Sequence, residues 1–370
     1  MTIAKRLDGI ELSLIRQINA LATPLSTDLG IGEPNLEPDE TLRTLAERAV
    51  RGSWRYTANA GTPALRAHIA EQSGADPKSE VCVTAGTQEA LFAIAQAFID
   101  PGDEVLIPDP GFVAYETLVR FAGGVPVPYP LAAPEWVLDL AAIETRITGR
   151  TKAIVVNSPS NPTGMALTEA ELDAIAGLGI LVISDEVYRE IHYGERPPSM
   201  LGRSKQAIVV SGLSKSHAMT GLRLGWAIAP EALMIPIIRA HQYIATCASA
   251  FSQHLAELIF ENESWNRRWL ERAREQFRVQ RDIALSAVEQ QCHVAVPPPA
   301  GAFYLFVPVP SRDSVGLAKA LATEAAVLTI PGVAFGASGE GFLRLSYAAP
   351  EEVLLSGIRR IGQYLEQIGG

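Results

Sequence analysis

Residues Ala207–Trp226 read AIVVSGLSKSHAMTGLRLGW. The first four are small or β-branched and apolar, the composition of a buried strand, and the serine- and glycine-rich segment after them reads as a loop. Lys215 therefore stands on the connection leaving a strand, where a rigid scaffold presents its reactive groups. The chain has only six lysines in 370 residues. A lysine is ordinarily a solvated surface group, so what stands at the ends of the other strands decides how this one is read.

Six more apolar runs accompany it: Val81–Gly86, Glu104–Pro110, Val125–Pro130, Lys152–Pro159, Ile180–Glu186 and Gly225–Pro230. Between several of them lie helical patterns, such as Thr87–Ile99 and Thr168–Ala176. Continuous apolar strands alternating with helices predict an α/β fold with a mostly parallel, seven-stranded sheet covered on both faces. After Pro230 the pattern changes to a long helical region, about Glu231 to Gln291, which includes RRWLERAREQFRVQR. That basic run reads as a solvated helix face carrying ion pairs. PAGAFYLFVPVP, AAVLTIPGVAFG and GFLRLSYA then read as strands of a smaller α/β unit, closed by a helix over Pro350–Ile368. The expected division is a large domain over 36–265, with 1–35 as an N-terminal arm joined to a small domain over 266–370.

Composition narrows the function. With 48% hydrophobic residues there is material for a large core. No apolar run approaches the ~20 residues of a membrane span. MTIAKRLDGIELSLIRQINALA reads as an amphipathic helix rather than a signal peptide. Cys82, Cys247 and Cys292 are odd in number and lack metal-ligand spacing, so buried thiols in a reducing compartment are expected and no metal. A net charge of −10 argues against nucleic acid as a partner. A cytoplasmic protein is expected.

In an open parallel sheet, ligands bind outside the carboxyl ends of the strands. The first such end is followed by AGTQEA, a small-residue turn opening a helix, which can cradle an anion. The others are followed by Phe112, by Asn157 and Asn161, by Asp185 and Tyr188, and by Ser211, Ser214 and Lys215. Singly these read as turns, caps and core. Together they place an amine, a carboxylate, a phenol, an amide, an aromatic face and an anion cradle on one edge. A lysine amine held there can bond a carbonyl cofactor, and pyridoxal 5′-phosphate (PLP) accounts for the rest. Gly86, Thr87 and Arg223 suit its phosphate, and Asp185 suits its ring nitrogen. Asn161 and Tyr188 suit its phenolic oxygen, and Phe112 suits its ring face.

The chain resembles the class I/II aminotransferases of the aspartate aminotransferase family, PLP enzymes of fold type I, over nearly its whole length. LGIGEPN, RYTANAGTPALR, AGTQEAL, PDPGFVAYE, NSPSNPTG, SDEVY, SKSHAMTGLRLG and GFLRLSYA carry the resemblance in order. It implies that Lys215 attaches the cofactor and shuttles the proton. Asp185 is implied to pair with the pyridinium, and Tyr188 and Asn161 to bond the ring hydroxyl. Phe112 matches the stacked aromatic, and Gly86, Thr87 and Arg223 match phosphate-binding positions. Tyr56 matches a tyrosine that reaches the neighbouring subunit's phosphate, which implies a homodimer with shared sites. Arg344 matches the arginine that grips the substrate α-carboxylate, and Gly32 lies in a mobile segment covering the substrate. The Asn161–Pro162 bond is expected to be cis.

Two positions depart from the family pattern. Gly212 stands where a phosphate-binding serine is common, leaving Ser211 or Ser214 to replace it, and Leu222 stands where tryptophan is common. The implied activity is ping-pong transfer of an amino group from an L-amino acid to a 2-oxo acid such as 2-oxoglutarate or pyruvate. The same scaffold hosts C–S β-lyases, which release pyruvate without an acceptor, and non-enzymatic ligand sensors. For the latter, the chain leaves no room for a basic DNA-binding module ahead of Gly32. Ile31 suggests an apolar wall and a neutral or aromatic donor. Arg55, Arg189 and Arg239 are the candidates for reading a distal carboxylate, each with an ordinary structural alternative. TCASAF, Thr246–Phe251, is a candidate for the neighbouring subunit's pocket wall. His217 and His241 read as structural.

Overall fold

The computed structural model describes residues 4–369. Its main sheet runs, in spatial order, Val81–Thr84, Gly225–Ile228, Ala207–Gly212, Leu181–Asp185, Thr151–Asn157, Glu104–Asp109 and Val125–Ala132. All but Gly225–Ile228 point the same way. An eighth strand of two residues, Val137–Leu138, hairpins back on the edge and has no sequence signal of its own. The five central strands bury nearly every residue, since helices cover both faces. One face packs Val105, Val155, Ile183 and Ile208 against the helix Thr87–Phe98, and the other packs Leu106, Ile154, Val182 and Val209 against Glu169–Ala176. That second helix starts with a reciprocal cap between Thr168 and Glu171.

The register aligns the functional edge. Asn157 pairs with Asp185, and Asp185 with Val210, so the ends of three strands lie level. The turn after Ala207–Gly212 then carries Lys215 onto the same edge in a short helix, Leu213–Ser216.

The helical region after Pro230 is three helices rather than one: Glu231–Ile244, Ala250–Glu261 and Glu263–Cys292. The first break has Thr246 at φ 64°, and at the second Asn262 ends one helix and caps the next through its side chain. In the last helix Trp265, Trp269, Ala273 and Phe277 are buried at four-residue spacing. The basic run faces outward as expected, with Arg278 paired to Glu275 at 2.8 Å and to Asp282 at 3.0 Å. This helix crosses the expected boundary at 265/266.

A three-stranded antiparallel sheet follows, ordered Tyr304–Pro308, Phe342–Ser346, Ile330–Pro331, with Arg344 opposite Phe306 and Ile330. AAVLTIPGVAFG forms two two-residue strands in different sheets, because Val327–Leu328 pairs with Thr27–Asp28 of the amino-terminal arm. The closing helix spans Glu351–Gly369. The amphipathic helix expected at the amino terminus is reduced to a 3₁₀ turn at Lys5–Leu7 and a helix at Leu14–Asn19; residues 1–3 of that expectation lie outside the described residues. Among the described residues, no helix is long and apolar enough to cross a membrane, and no cluster of metal-ligating side chains occurs.

Candidate active site

A cleft of about 350 Å³ opens over the carboxyl ends of the strands. Lys215, Asp185, Tyr188, Asn161, Arg344, Arg223, Thr87, Phe112, Ser214 and Gly32 all line it. The Lys215 Nζ donates to the Gly32 carbonyl at 2.6 Å. Burial, helped by the nearby Arg344 charge, lowers this amine to about 8.

Asp185 is 4% exposed. Its Oδ2 accepts from the Tyr115 hydroxyl at 2.9 Å, and its Oδ1 accepts from the Val187 N–H at 3.3 Å. Among the described residues no cation lies at ion-pair distance from it, and burial lifts it from an ordinary 3.8 to about 6. Between those values the folded protein binds more protons than the unfolded chain, so this group's stabilising contribution falls as pH rises from about 4 to about 6. We expect cofactor-free Asp185→Asn protein to gain stability relative to the cofactor-free parent as pH rises across that window. Urea titrations at several pH values measure the gap, and a gap that stays constant would mean the carboxyl is not shifted.

Tyr188 and Tyr304 share a hydrogen bond between their hydroxyls at 2.8 Å. The Asn161 N–H donates to Asn157 Oδ1 at 2.8 Å, Asn157 Nδ2 donates to the Asp185 carbonyl at 2.9 Å, and the Asn161–Pro162 bond is cis. Arg344, 1% exposed, donates from Nη1 to Asn161 Oδ1 at 3.1 Å and from Nη2 to the Gly30 carbonyl. Its guanidinium lies 4.4 Å from the Tyr304 ring centre and 5.0 Å from that of Phe335. Its Nε is buried without a partner. A buried arginine with a spare donor and no carboxylate partner is arranged to receive an anion.

The anion cradle lies at the other end. Gly86, at φ 89°, opens the helix Thr87–Phe98, and a Cβ there would stand 2.7 Å from Arg223 Nη2. Arg223 Nη1 donates to the Thr220 carbonyl at 2.8 Å. Of the two serines offered as replacements at this end, Ser214 lines the cleft and Ser211 does not. Phe112 forms a wall, edge-on to Tyr115 at 5.6 Å.

Some expectations meet nothing within one chain. Tyr56 is 87% exposed and does not line the cleft. Arg55, Arg189 and Arg239 do not line it either, and Arg189 is bound to the Pro197 carbonyl. His217 is hydrogen-bonded to Ser216 and Asn266, and His241 to Glu89, in keeping with structural roles. The sequence reading missed Tyr115 and Tyr304, and also Ser13, Arg16 and Asn19 of the arm, all of which line the cleft. Tyr115 stands three residues beyond Phe112 at the start of a helix, a spacing that could have drawn attention to it.

What these groups have in common is a molecule with a phosphate at one end, a protonated ring nitrogen at the other and an aldehyde between. The glycine cradle beside Arg223, the buried carboxylate lacking a cation and the buried amine fit PLP, so the fold and cleft define a PLP enzyme of fold type I. The family model for aminotransferase class I and II matches residues 26–361. The chain is 34% identical to an aspartate aminotransferase of Pyrococcus abyssi over 99% of both proteins. It is 33% identical to aromatic-amino-acid aminotransferase 2 of Thermococcus litoralis, again over 99% of both. Among solved structures, a single mutant of Thermus thermophilus aspartate aminotransferase superposes with a TM-score of 0.92 at 34% identity, covering 99% of this chain and 100% of that one. The chain belongs to the class I and II aminotransferases and is a PLP-dependent transaminase.

Proposed function

We propose that this enzyme moves the amino group of an L-amino acid to a 2-oxo acid, 2-oxoglutarate or pyruvate, in two half-reactions at one cleft. The observation that carries this reading is the convergence of Lys215, Asp185 and Arg344, from separate elements, on one buried space. The names of the relatives, aspartate and aromatic-amino-acid aminotransferases, support it.

Lys215 attaches the cofactor, and Gly86, Thr87, Ser214 and Arg223 hold its phosphate. Phe112 covers the ring face, Tyr188 and Asn161 donate to the ring oxygen, and Asp185 holds the proton on the ring nitrogen. Bound PLP supplies an electron sink for the charge that develops at the substrate Cα. Arg344 grips the α-carboxylate of every substrate and so fixes Cα beside Lys215. Burial lowers the Lys215 amine to about 8, so a larger fraction of it than of an ordinary lysine is unprotonated at mildly alkaline pH, and in that form it takes the Cα proton and returns it one position away. The segment around Gly32, already bonded to Lys215, closes the cleft and keeps water from the reacting atoms.

The same reading assigns Tyr56 to the partner's phosphate in a homodimer with shared sites, which accords with its exposure. It also keeps the division into a large domain over 36–265 and an arm-plus-small domain over 1–35 and 266–370, in a cytoplasmic enzyme.

A panel of amino donors with 2-oxoglutarate and pyruvate as alternative acceptors tests the activity. A new amino acid should form only when donor and acceptor are both present. Pyruvate appearing from a cysteine conjugate with no acceptor would mean β-elimination instead. Borohydride should bleach the visible band of the purified enzyme and fix the cofactor on the peptide containing Lys215. A label on Lys5, Lys78, Lys152, Lys205 or Lys319 would overturn the site.

A further inference from the structure

The anion cradle at the start of the helix Thr87–Phe98 has a support behind it to which the reaction as described gives no task. Glu89, in the first turn of that helix, folds back so that its Oε2 accepts from the Ala85 N–H at 3.1 Å. In a capping box, a carboxylate at this position reaches the N–H of the cap residue itself. Here the cap is Gly86, whose N–H already donates to the Thr84 carbonyl at 2.8 Å, and Glu89 grips one residue further back. Ala85 and Gly86 are both fixed in this way. The N–H groups of Thr87 and Gln88 have no acceptor among the described residues, and both residues line the cleft.

Behind Glu89 stands His241, fully buried, with its Nδ1 at 3.0 and 3.1 Å from the two carboxylate oxygens. An ionised carboxylate offers only acceptors, so Nδ1 carries the proton and donates. The other ring nitrogen, Nε2, is buried without a partner. His241 belongs to the helix Glu231–Ile244 and follows Met234 and Ile237 on the face packed against Ala90 and Ile94. An apolar residue would suit that face and would leave no ring nitrogen unsatisfied. What the imidazole adds there is the Nδ1–H.

We propose that Glu89 and His241 are positioning residues for the cofactor phosphate: Glu89 fixes the turn beneath the anion, and His241 offsets the charge that Glu89 would otherwise set against it. The inference rests on the assignment of the phosphate to this cradle. Neither side chain lines the cleft, so both act through the turn. Glu89 follows the free N–H groups of Thr87 and Gln88 within one turn of helix, so an anion held by them meets its charge across little solvent. The turn needs an acceptor for Ala85, and the phosphate is better held if that acceptor carries less charge. A donor against both carboxylate oxygens meets the two demands together.

The test titrates the full-length enzyme, freed of cofactor by dialysis, with PLP and with pyridoxal, which has the same ring and aldehyde and no phosphate. The ratio of the two dissociation constants reads the phosphate contacts alone. It should fall about tenfold in His241→Leu, which nearly keeps the volume and removes the donor, and by a similar factor in Glu89→Ala, which frees Ala85. Glu89→Gln, an uncharged acceptor for the same N–H, should hold the ratio within about threefold of the parent. In the Glu89→Gln background His241→Leu should then change little, because no charge is left to offset. His241→Asn, which keeps an N–H near the place of Nδ1, should retain the preference as well. A packing role predicts otherwise: PLP and pyridoxal weakened by one common factor, and His241→Leu equally damaging with either residue at 89. That pattern would overturn the proposal, as would a ratio unmoved in both His241→Leu and Glu89→Ala. If His241→Leu does not fold, equal ratios in Glu89→Ala and Glu89→Gln would overturn it instead. Arg223→Gln is the control for the cradle: a ratio it leaves unchanged would mean that the phosphate is held elsewhere, and both assignments would fall together.

Discussion

Asp185→Asn should bind PLP and yet turn over several orders of magnitude more slowly, a loss of ~4 kcal/mol or more in the barrier. The substitution nearly preserves volume, and the buried site offers the new amide the Tyr115 hydroxyl that now donates to the carboxylate. What disappears is the negative charge. Asp185 lies at the bottom of the cleft with no cation at ion-pair distance among the described residues, and its pKa is pushed up to about 6 by burial. A buried carboxylate in that condition is costly until a positive partner arrives. A protonated ring nitrogen is such a partner, and pairing with it lowers the carboxyl while raising the ring. An amide has no charge with which to hold that proton, so the cofactor loses most of its capacity to accept electron density. Cofactor retention should fall far less than turnover, because the phosphate cradle and Lys215 are untouched. Stopped-flow half-reactions give the rate and equilibrium dialysis gives the retention. Turnover near that of the parent would show that Asp185 only caps the chain after its strand.

Most of the residues legible in the sequence share one physical trait: they stand at or just beyond the end of a strand whose apolar run is unmistakable. Asp185 ends such a strand, Lys215 and Asn161 follow one, and the parallel register alone brings Asn157 and Asp185 side by side. Arg344 lies within a strand, flanked by Leu343 and Leu345, and was found through its motif rather than its position. Tyr304 escaped notice because an aromatic residue in a strand ordinarily reads as core, and most of its ring does serve as core. Its hydroxyl meets Tyr188 only because two sheets distant in sequence pack together. Arg16 escaped for the same reason, since the arm reaches the cleft by pairing Thr27–Asp28 with Val327–Leu328, some 300 residues away. The helix breaks near Thr246 and Asn262 interrupt a pattern whose apolar periodicity hardly changes across them, so composition joined three helices into one.

Arg344→Lys should impair every amino acid and every 2-oxo acid alike, by roughly 2–4 kcal/mol in kcat/KM. The arginine is buried between two aromatic rings, bonded to Asn161 and the Gly30 carbonyl, and keeps its Nε without a partner. Burial lowers its pKa, yet a guanidinium stays charged where an amine would be pressed to release its proton. Lysine at this position loses the planar fork and part of its charge as well. It also cannot span Asn161, Gly30 and a substrate carboxylate together, so the geometry that, on the proposed function, fixes Cα beside Lys215 would be lost. Both half-reactions should therefore slow by similar factors. The visible spectrum of the resting enzyme should change little, since the proposed function gives the cofactor to other residues. The decisive control is an amine without an α-carboxylate, tested as a slow donor: its rate should barely respond. If Arg344→Lys instead separates dicarboxylic from neutral donors and leaves one class untouched, Arg344 reads the side chain, and the α-carboxylate must be held elsewhere in the cleft.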